Sequence, residues 1–420
     1  MIRPSRVRGL GRQHGKGIGL PAEDERKPNR AREIGLTAGT LGSTASQTVM
    51  VAVFPLLITE YARSTFWVGF AVAGEGAFAL AVPYWIGRLS DRLPARLAER
   101  FGRRRLFMLA TAPVMAASVA LVPFVSGYWP LAGIAFVYFA ALHGYLTPLW
   151  ALTIDAVPSG RWGRVQGLRA GLHAIGLAYG LIAGGLLYSL WPPLPFLIAA
   201  GLIVASTAAT LRAAAGRMEE EEPEQKPWRE LFEDSAVRWF LLGNALWTGA
   251  VDGIRPYIFL FAVTVLGLSV AESSAAMVVL VLGLGVGAVV LGRVSDRHDR
   301  SRLLMIGVVA TGVALVPGVF LRDISTVLPV LVVAGLGAAA VLALPFPLYA
   351  DLVGGEAMGS HTGLYVASLG AGRMLAPLLV GAAIDASAGW VGDEGYPIMW
   401  PAAGALMLLG AASLARVRRG

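Results

Sequence analysis

Twelve apolar runs, each about long enough to cross a bilayer as a helix, leave this 420-residue chain few folds to choose from. They lie at 36–59, 67–86, 106–125, 131–154, 166–190, 195–211, 239–263, 273–291, 303–320, 325–350, 362–384 and 397–415. Backbone in hydrocarbon has no water to pair with, so runs of this length must satisfy their own hydrogen bonds as helices. An all-α membrane protein with twelve transmembrane helices is therefore predicted. Composition agrees, at 56% hydrophobic and 15% charged residues. The formal charge of +8 would suggest nucleic-acid binding in a soluble chain. Here the arginines sit in loops between spans, which points to topology and the lipid bilayer, with no nucleic-acid partner. With no cysteine there is no disulfide, thiolate metal site or cysteine nucleophile.

The arginines alternate between successive loops. Those after the second, fourth and eighth spans carry Arg92 to Arg105, Arg161 with Arg164, and Arg293 to Arg302. The opposite loops carry little, Arg63 and Arg322 beside Asp323. Arginine-rich loops collect in the cytoplasm, so both termini are expected there, in a plasma (inner) membrane. Residues 1–33 are polar and basic without the apolar core of a signal peptide, and read as a disordered cytoplasmic tail. A six-helix bundle over 34–212, a cytoplasmic linker over 213–237, a second six-helix bundle over 238–415 and a short tail over 416–420 complete the predicted division.

The two bundles can be aligned with each other. Gly87 to Arg105, GRLSDRLPARLAERFGRRR, is echoed by GRVSDRHDRSR from Gly292, 205 residues later. DAVPSGRWGRVQGL from Asp155 is echoed by DLVGGEAMGSHTGL from Asp351, 196 residues later. Two landmarks in the same order argue for a duplicated six-span unit, hence two pseudo-symmetric bundles with a solute site at their interface near mid-membrane.

On these residues the chain resembles the major facilitator superfamily over nearly its whole length after the tail. Gly87, Asp91, Arg92, Gly102, Arg103 and Arg104 match the family's loop motif, stretched between Arg92 and Gly102. Gly292, Asp296 and Arg297 keep the start of a second copy. SDR with FGRRR, and EGAFAL upstream, looks most like the glycoside and sucrose-type cation symporters. The resemblance implies a cytoplasmic gating loop in which Asp91 meets the start of the eleventh span near Thr362, latching the halves in the outward-facing state. By pseudo-symmetry Asp296 would face the fifth span near Gln166. An exposed carboxylate at a helix N-terminus is favoured by about 0.3–1 kcal/mol. The plainer alternative is that both loops only set topology and hairpin geometry.

Ionisable groups at mid-span cost about 2.5–3.5 kcal/mol on insertion scales and mark function. They are Glu75, His143, Arg169, His173, Asp252, Arg255 and Arg373. None falls in the third, sixth, ninth or twelfth span, which the resemblance makes peripheral supports. Glu75 is the first choice for a proton carrier, because burial raises a carboxyl pKa and a nearby cation lowers it again. Arg169 and His173, four apart on one helix face, are its expected partners, and His143 could share the proton. A permanent Glu75–Arg169 ion pair is the competing reading. Asp252 and Arg255, three apart, are read as neutralising each other. Arg373 has no partner in its own span and is open to an anionic solute or a carboxylate across the cavity.

Gln47, Tyr145, Trp150, Asn244, Trp247, Tyr257 and Tyr365, with Asp252, Arg255 and Arg373, are the candidate cavity lining. Their rings and amides suit a sugar, although packing and interface anchoring are the commoner roles. Gly176, Gly180, Gly184 and Gly185 have small-residue spacing for close helix packing. The same glycines resemble the fifth-span antiporter motif, but Leu181 stands where its proline would be, which argues against drug–proton antiport. Pro55, Pro83, Pro148, Pro345 and Pro347 are expected to bend their helices. No phosphate-binding glycine loop and no metal spacing among histidines is present, so neither an enzyme, a cofactor nor a metal is expected. The predicted function is proton-coupled symport of a sugar or similar small polar solute by a monomer, with sodium disfavoured because carboxylates are sparse. The alternatives are a proton-coupled exporter of an amphipathic metabolite or drug, and a non-transporting assembly factor or sensor.

Overall fold

The computed structural model describes residues 30–91, 102–155, 157, 162–214, 234–295, 297–353 and 358–417, and every regular element among them is helical. In chain order the spans are α1 (Arg30–Ile58), α2 (Thr65–Asp91), α3 (Arg103–Leu121), α4 (Tyr128–Asp155), α5 (Arg164–Leu190) and α6 (Leu194–Ala213). The second set is α7 (Ser235–Ile254), α8 (Val270–Ser295), α9 (Arg300–Leu315), α10 (Ile324–Val353), α11 (Met358–Val391) and α12 (Met399–Val417). Among the described residues eleven helices are long and apolar enough to cross a membrane. The twelfth, α7, is diluted by Arg238, Asn244 and Asp252 and is carried on by the short helix Ile258–Thr264.

The pattern of neighbours repeats between the halves. α1 packs on α5 and α6, α3 on α4 and α6, and α2 on α4; α7 packs on α11 and α12, α9 on α10 and α12, and α8 on α10. Every pairing in the first set recurs six spans later, which is the duplication read from the loops. Between the halves, α2 meets α11, α5 meets α8, and the ends of α1 meet the end of α7.

Proline decides where the spans break. Pro55 lacks an N–H and its ring crowds the carbonyl of Val51, and α1 widens just ahead of it into a π turn at Val49–Val53. That turn touches a second π turn in α5, Tyr179–Ala183. α10 breaks at Leu344 ahead of Pro345, as expected, and α7 breaks around Pro256, which the sequence reading passed over. Of the tail expected over 1–33, residues 30–33 are helical. Arg30 to Glu33 already form the first turn of α1, with Arg32 Nε donating to the Ala213 carbonyl at 3.2 Å and Glu33 3.2 Å from Arg164. Residues 1–29 and most of the linker, 215–233, lie outside the described residues.

The inter-bundle contacts gather on the side away from the termini. There Asp385 of α11 accepts from the backbone N–H groups of Thr65 and Phe66, each at 2.9 Å, and from the Thr65 hydroxyl, so a carboxylate of one bundle caps a helix of the other. The Tyr257 hydroxyl donates to the Pro377 carbonyl at 2.6 Å and reaches that of Thr65 at 3.2 Å. The α5–α8 contact begins chiefly at Tyr179 and runs to the end of α5. Toward the termini, by contrast, Tyr84 and Trp85 of α2 are more than half exposed beside a groove, and a side chain at Gly363 of α11 would meet nothing. Among the described residues, the Asp385, Tyr257 and α5–α8 contacts tie the bundles together on the side away from the termini.

Mid-membrane, α2 and α11 cross backbone to backbone at Gly76. A Cβ there would stand 2.7 Å from the Arg373 carbonyl carbon and closer still to the Met374 nitrogen. We expect Gly76→Val to destabilise the folded chain by about 1–3 kcal/mol through overpacking. Gly133→Val, at a position with nothing within reach, should leave it unchanged. Unfolding of the two variants in detergent decides this, and equal stability would refute the close crossing.

Candidate functional site

That crossing sets Arg373 between the bundles. Its turn of α11 is held by Gly76 on one side and on the other by α7, where a Cβ on Gly372 would stand 3.0 Å from the Gly249 nitrogen. From there the Arg373 Nε donates to Asp252 Oδ2 at 2.9 Å and lies 3.8 Å from Glu75 Oε1. Asp252 Oδ1 accepts from Arg255 Nη1 at 2.8 Å. Two carboxylates and two guanidiniums thus form one chain of charge, Glu75–Arg373–Asp252–Arg255, whose first link joins the two halves of the molecule. Burial of each charge is made tolerable by the opposite charge beside it.

Glu75 is 2% exposed, and Gln47 Nε2 of α1 donates to its Oε1 at 2.5 Å. His143 of α4 lies against the Glu75 backbone within electrostatic reach of Arg373. Its Nε2 is buried with no hydrogen-bond partner among the described residues. Arg169 is elsewhere: its guanidinium lies 4.7 Å from the centre of the Trp150 ring and 3.4 Å from Gln166 Oε1. The cation beside Glu75 is Arg373, so the expected Glu75–Arg169 pairing gives way to one across the bundle interface. Sequence spacing ranks partners within a helix or a half; it carries no sign of which residue the α2–α11 crossing brings opposite Glu75. His173 does face the centre, where its Nδ1 lies 3.0 Å from Thr44 Oγ1.

A cavity of about 250 Å³ opens beside this chain of charge. Its polar end is formed by Thr44, Gln47, His173, Asp252, Arg255 and Arg373, with Tyr365 beside them. Its other end runs into the second bundle among Leu284, Leu315, Leu331, Trp400 and Met407. Spans nine and twelve therefore line it, where they were expected to be peripheral. Glu75 and His143 do not line it; Gln47 stands between Glu75 and the open space.

The remaining candidates are taken by packing. Tyr145 is 1% exposed and its hydroxyl accepts from Thr207 at 3.0 Å. The Trp247 indole N–H donates to Asn244 at 2.9 Å, whose amide donates to Ser368 at 2.8 Å, a polar zipper between α7 and α11. Tyr257 belongs to the closed end described above, and Trp150 to Arg169.

A sequence profile described as the Major Facilitator Superfamily matches residues 36–286 and 264–418. The chain belongs to the major facilitator superfamily. It is therefore an integral membrane transporter of the alternating-access kind. Among solved structures, a bacterial homologue of the human lysosomal transporter Spinster, inward-facing and occupied, aligns over 92% of this chain and 96% of its own, with a TM-score of 0.75 and 15% identity. The nucleoside transporter NupG aligns over 93% and 99%, with a TM-score of 0.70 and 12% identity. No curated protein matches the sequence significantly.

Of the superfamily loop motif, Gly102 can be explained: it enters α3 with φ +76°, a conformation that favours glycine. Gly87, Asp91 and Arg103 have helical backbone, but the side chains of Asp91 and Arg103 lie outside the described residues, as do Arg92 and Asp296 altogether. The expected Asp91 and Asp296 latches are thus outside what is described. Arg104 lies in the first turn of α3, while Gly292 is exposed in α8 and Arg297 is exposed just beyond it. Sequence reasoning missed Asp385, the carboxylate that caps a helix of the other bundle. Its signal was available as a lone acid in an apolar span, AAIDASAGW. Gly176, Gly180 and Gly184 pack on α1 as their spacing suggested, and Gly185 on Ser274 of α8.

Removing one member of a buried ion pair costs about 3–5 kcal/mol. Arg373→Gln should lose about 3 kcal/mol, and adding Glu75→Gln should recover part of it. A double-mutant cycle by unfolding in detergent measures the coupling, and strictly additive losses would mean that the two residues do not interact.

Proposed function

We propose that the protein is a proton-coupled secondary transporter, with Glu75 as the proton carrier, for a small amphipathic solute. The observation that carries the reading is the position of Glu75: buried, held by Gln47, and paired across the bundle interface with Arg373. A carboxylate so placed ties the halves together only while ionised. Protonating it removes one anion from the chain of charge, leaves Arg373 to Asp252 alone and loosens the tie between α2 and α11. The proton thereby acts on the same contact that must change when the bundles rock. Coupling to sodium is disfavoured, because Glu75 and Asp252 are each already met by guanidinium.

The choice of solute follows the cavity. One end is polar and charged, the other is lined by leucine, methionine and tryptophan, which suits a molecule with a polar head and an apolar body. A sugar ranks behind it because Tyr145, Asn244, Trp247 and Tyr257 are spent on packing, so the stacking and hydrogen-bonding platform a sugar requires is reduced to Gln47 and Tyr365. A non-transporting role ranks lower still, since a rigid scaffold has no need of an ion pair set across a moving interface. The arginine-rich loops support cytoplasmic termini.

The test is uptake into proteoliposomes from a panel of radiolabelled amphipathic and sugar solutes under an imposed pH gradient. Wild-type protein should accumulate an amphipathic solute only with the gradient present, and Glu75→Gln should lose accumulation while retaining exchange of solute down its own gradient. Accumulation indifferent to both the gradient and the substitution would remove Glu75 as the carrier.

A further inference from the structure

α2 and α8 hold the same place in the two halves, yet their first turns are capped from different sources. At the start of α8, the Ser269 N–H donates to Glu272 Oε2 at 2.8 Å and the Glu272 N–H donates to Ser269 Oγ at 3.2 Å. An N-cap serine with a glutamate three residues on is a complete local cap. At the start of α2 the serine is present as Ser64, whose carbonyl accepts from the Trp67 N–H at 3.1 Å. The glutamate is missing, and Trp67 stands in its place. The carboxylate comes instead from α11 in the other bundle: Asp385 Oδ1 accepts from the Thr65 N–H and Oδ2 from the Phe66 N–H, each at 2.9 Å. The Ser64 hydroxyl is a further hydrogen-bond partner of the same carboxylate. No such loan is made in return. The end of α5 that lies on α8, Gly184–Leu190, reads GGLLYSL and contains no acid.

The first turn of α2 therefore keeps its present cap only while the bundles touch. Parting them would leave the Thr65 and Phe66 N–H groups among the unpaired donors of a helix start. Ser64 is placed to answer, because an N-cap serine accepts from the N–H of the second or third helical residue. Here those residues are Phe66 and Trp67, and the Phe66 N–H is one of the two that Asp385 holds. One helix start thus has two possible caps, a charged one from the opposite bundle and a neutral one from its own chain. The charged bonds are the stronger, and the local one lowers the cost of giving them up.

We propose that Asp385 is the catch of the gate on the side away from the termini and that Ser64 relieves it. With the gate shut Asp385 caps α2; as the bundles part, Ser64 takes over the first turn. The proposal requires alternating access alone and goes beyond the proton-carrier reading, since Glu75 has no part in it.

The chain has no cysteine, so one introduced at Ile258 reports on the gate. Ile258 is buried and lines the cavity just beyond the end of α7. The full chain carrying Ile258→Cys is reconstituted in liposomes without solute or gradient and labelled with a membrane-impermeant maleimide. Only molecules whose C-terminal tail is protected from added protease are counted, because the reagent reaches those from the side away from the termini. Asp385→Asn should raise the labelling rate several-fold over the same chain with Asp385 intact. Ser64→Asp should raise it too, by strengthening the local cap and setting a second carboxylate against Asp385. Ser64→Ala should lower it several-fold, because the shut gate keeps the cap from Asp385 while the open one loses its own. Should Asp385→Asn fail to fold, Ser64→Asp tests the same catch by repulsion. An unchanged rate in Asp385→Asn or in Ser64→Asp would show that Asp385 does not hold the gate. A rate unchanged or raised in Ser64→Ala would show that the caps do not exchange, and either result overturns the proposal. Failure of proton coupling in the uptake assay would leave this result standing, and the converse also holds.

Discussion

A guanidinium cannot sit at mid-membrane unless something answers its charge, and Arg373 is answered from both halves of the molecule. Asp252 comes from a neighbouring helix of its own bundle and Glu75 from the opposite one. The low dielectric makes that arrangement stringent: each charge removed leaves an uncompensated partner worth several kcal/mol. The interface between bundles is thus where a proton can do most, since neutralising Glu75 alters the one ionic link between them among the described residues without disturbing the pair Asp252–Arg255 within the second.

The helices can bring these groups together only because they approach closely. Lipid offers no hydrophobic drive for helices to associate, so packing and polar contacts must do it. Gly76 lets α2 cross α11 against bare backbone, and Gly372 lets α7 close from behind. Away from the termini the same two helices are tied by Asp385 and Tyr257, groups that hydrogen-bond to helix ends and carbonyls rather than to one another. Those bonds are directional but solvent-replaceable, as a contact that must open in each transport cycle requires.

Much of the architecture could be read in advance. Length of apolar run, arginine alternation and two repeated landmarks are each local properties, and each maps directly onto a span, a side or a half. Glu75, Asp252, Arg255 and Arg373 announced themselves because hydrocarbon rejects their charge. Asp252 and Arg255 could even be paired, since three residues along a helix is a contact. The aromatic candidates were less legible: Trp247 and Tyr257 in an apolar run look the same whether they line a cavity or bond to Asn244 and Pro377. Asp385 was overlooked because its role depends on the opposite bundle's helix start lying beside it.

The chain by itself determined that it must be helical, span a membrane twelve times and fold as two related bundles, because hydrocarbon forces backbone and charge to declare themselves over short stretches of sequence. Only the tertiary structure decided that Arg373 answers Glu75, that the cavity extends into the second bundle as far as Trp400, and that Arg169 stands apart on Trp150. Those contacts join residues hundreds of positions apart, and whether they form depends on how closely two helices can approach, which rests on glycines whose spacing looks ordinary until the opposite helix is in place.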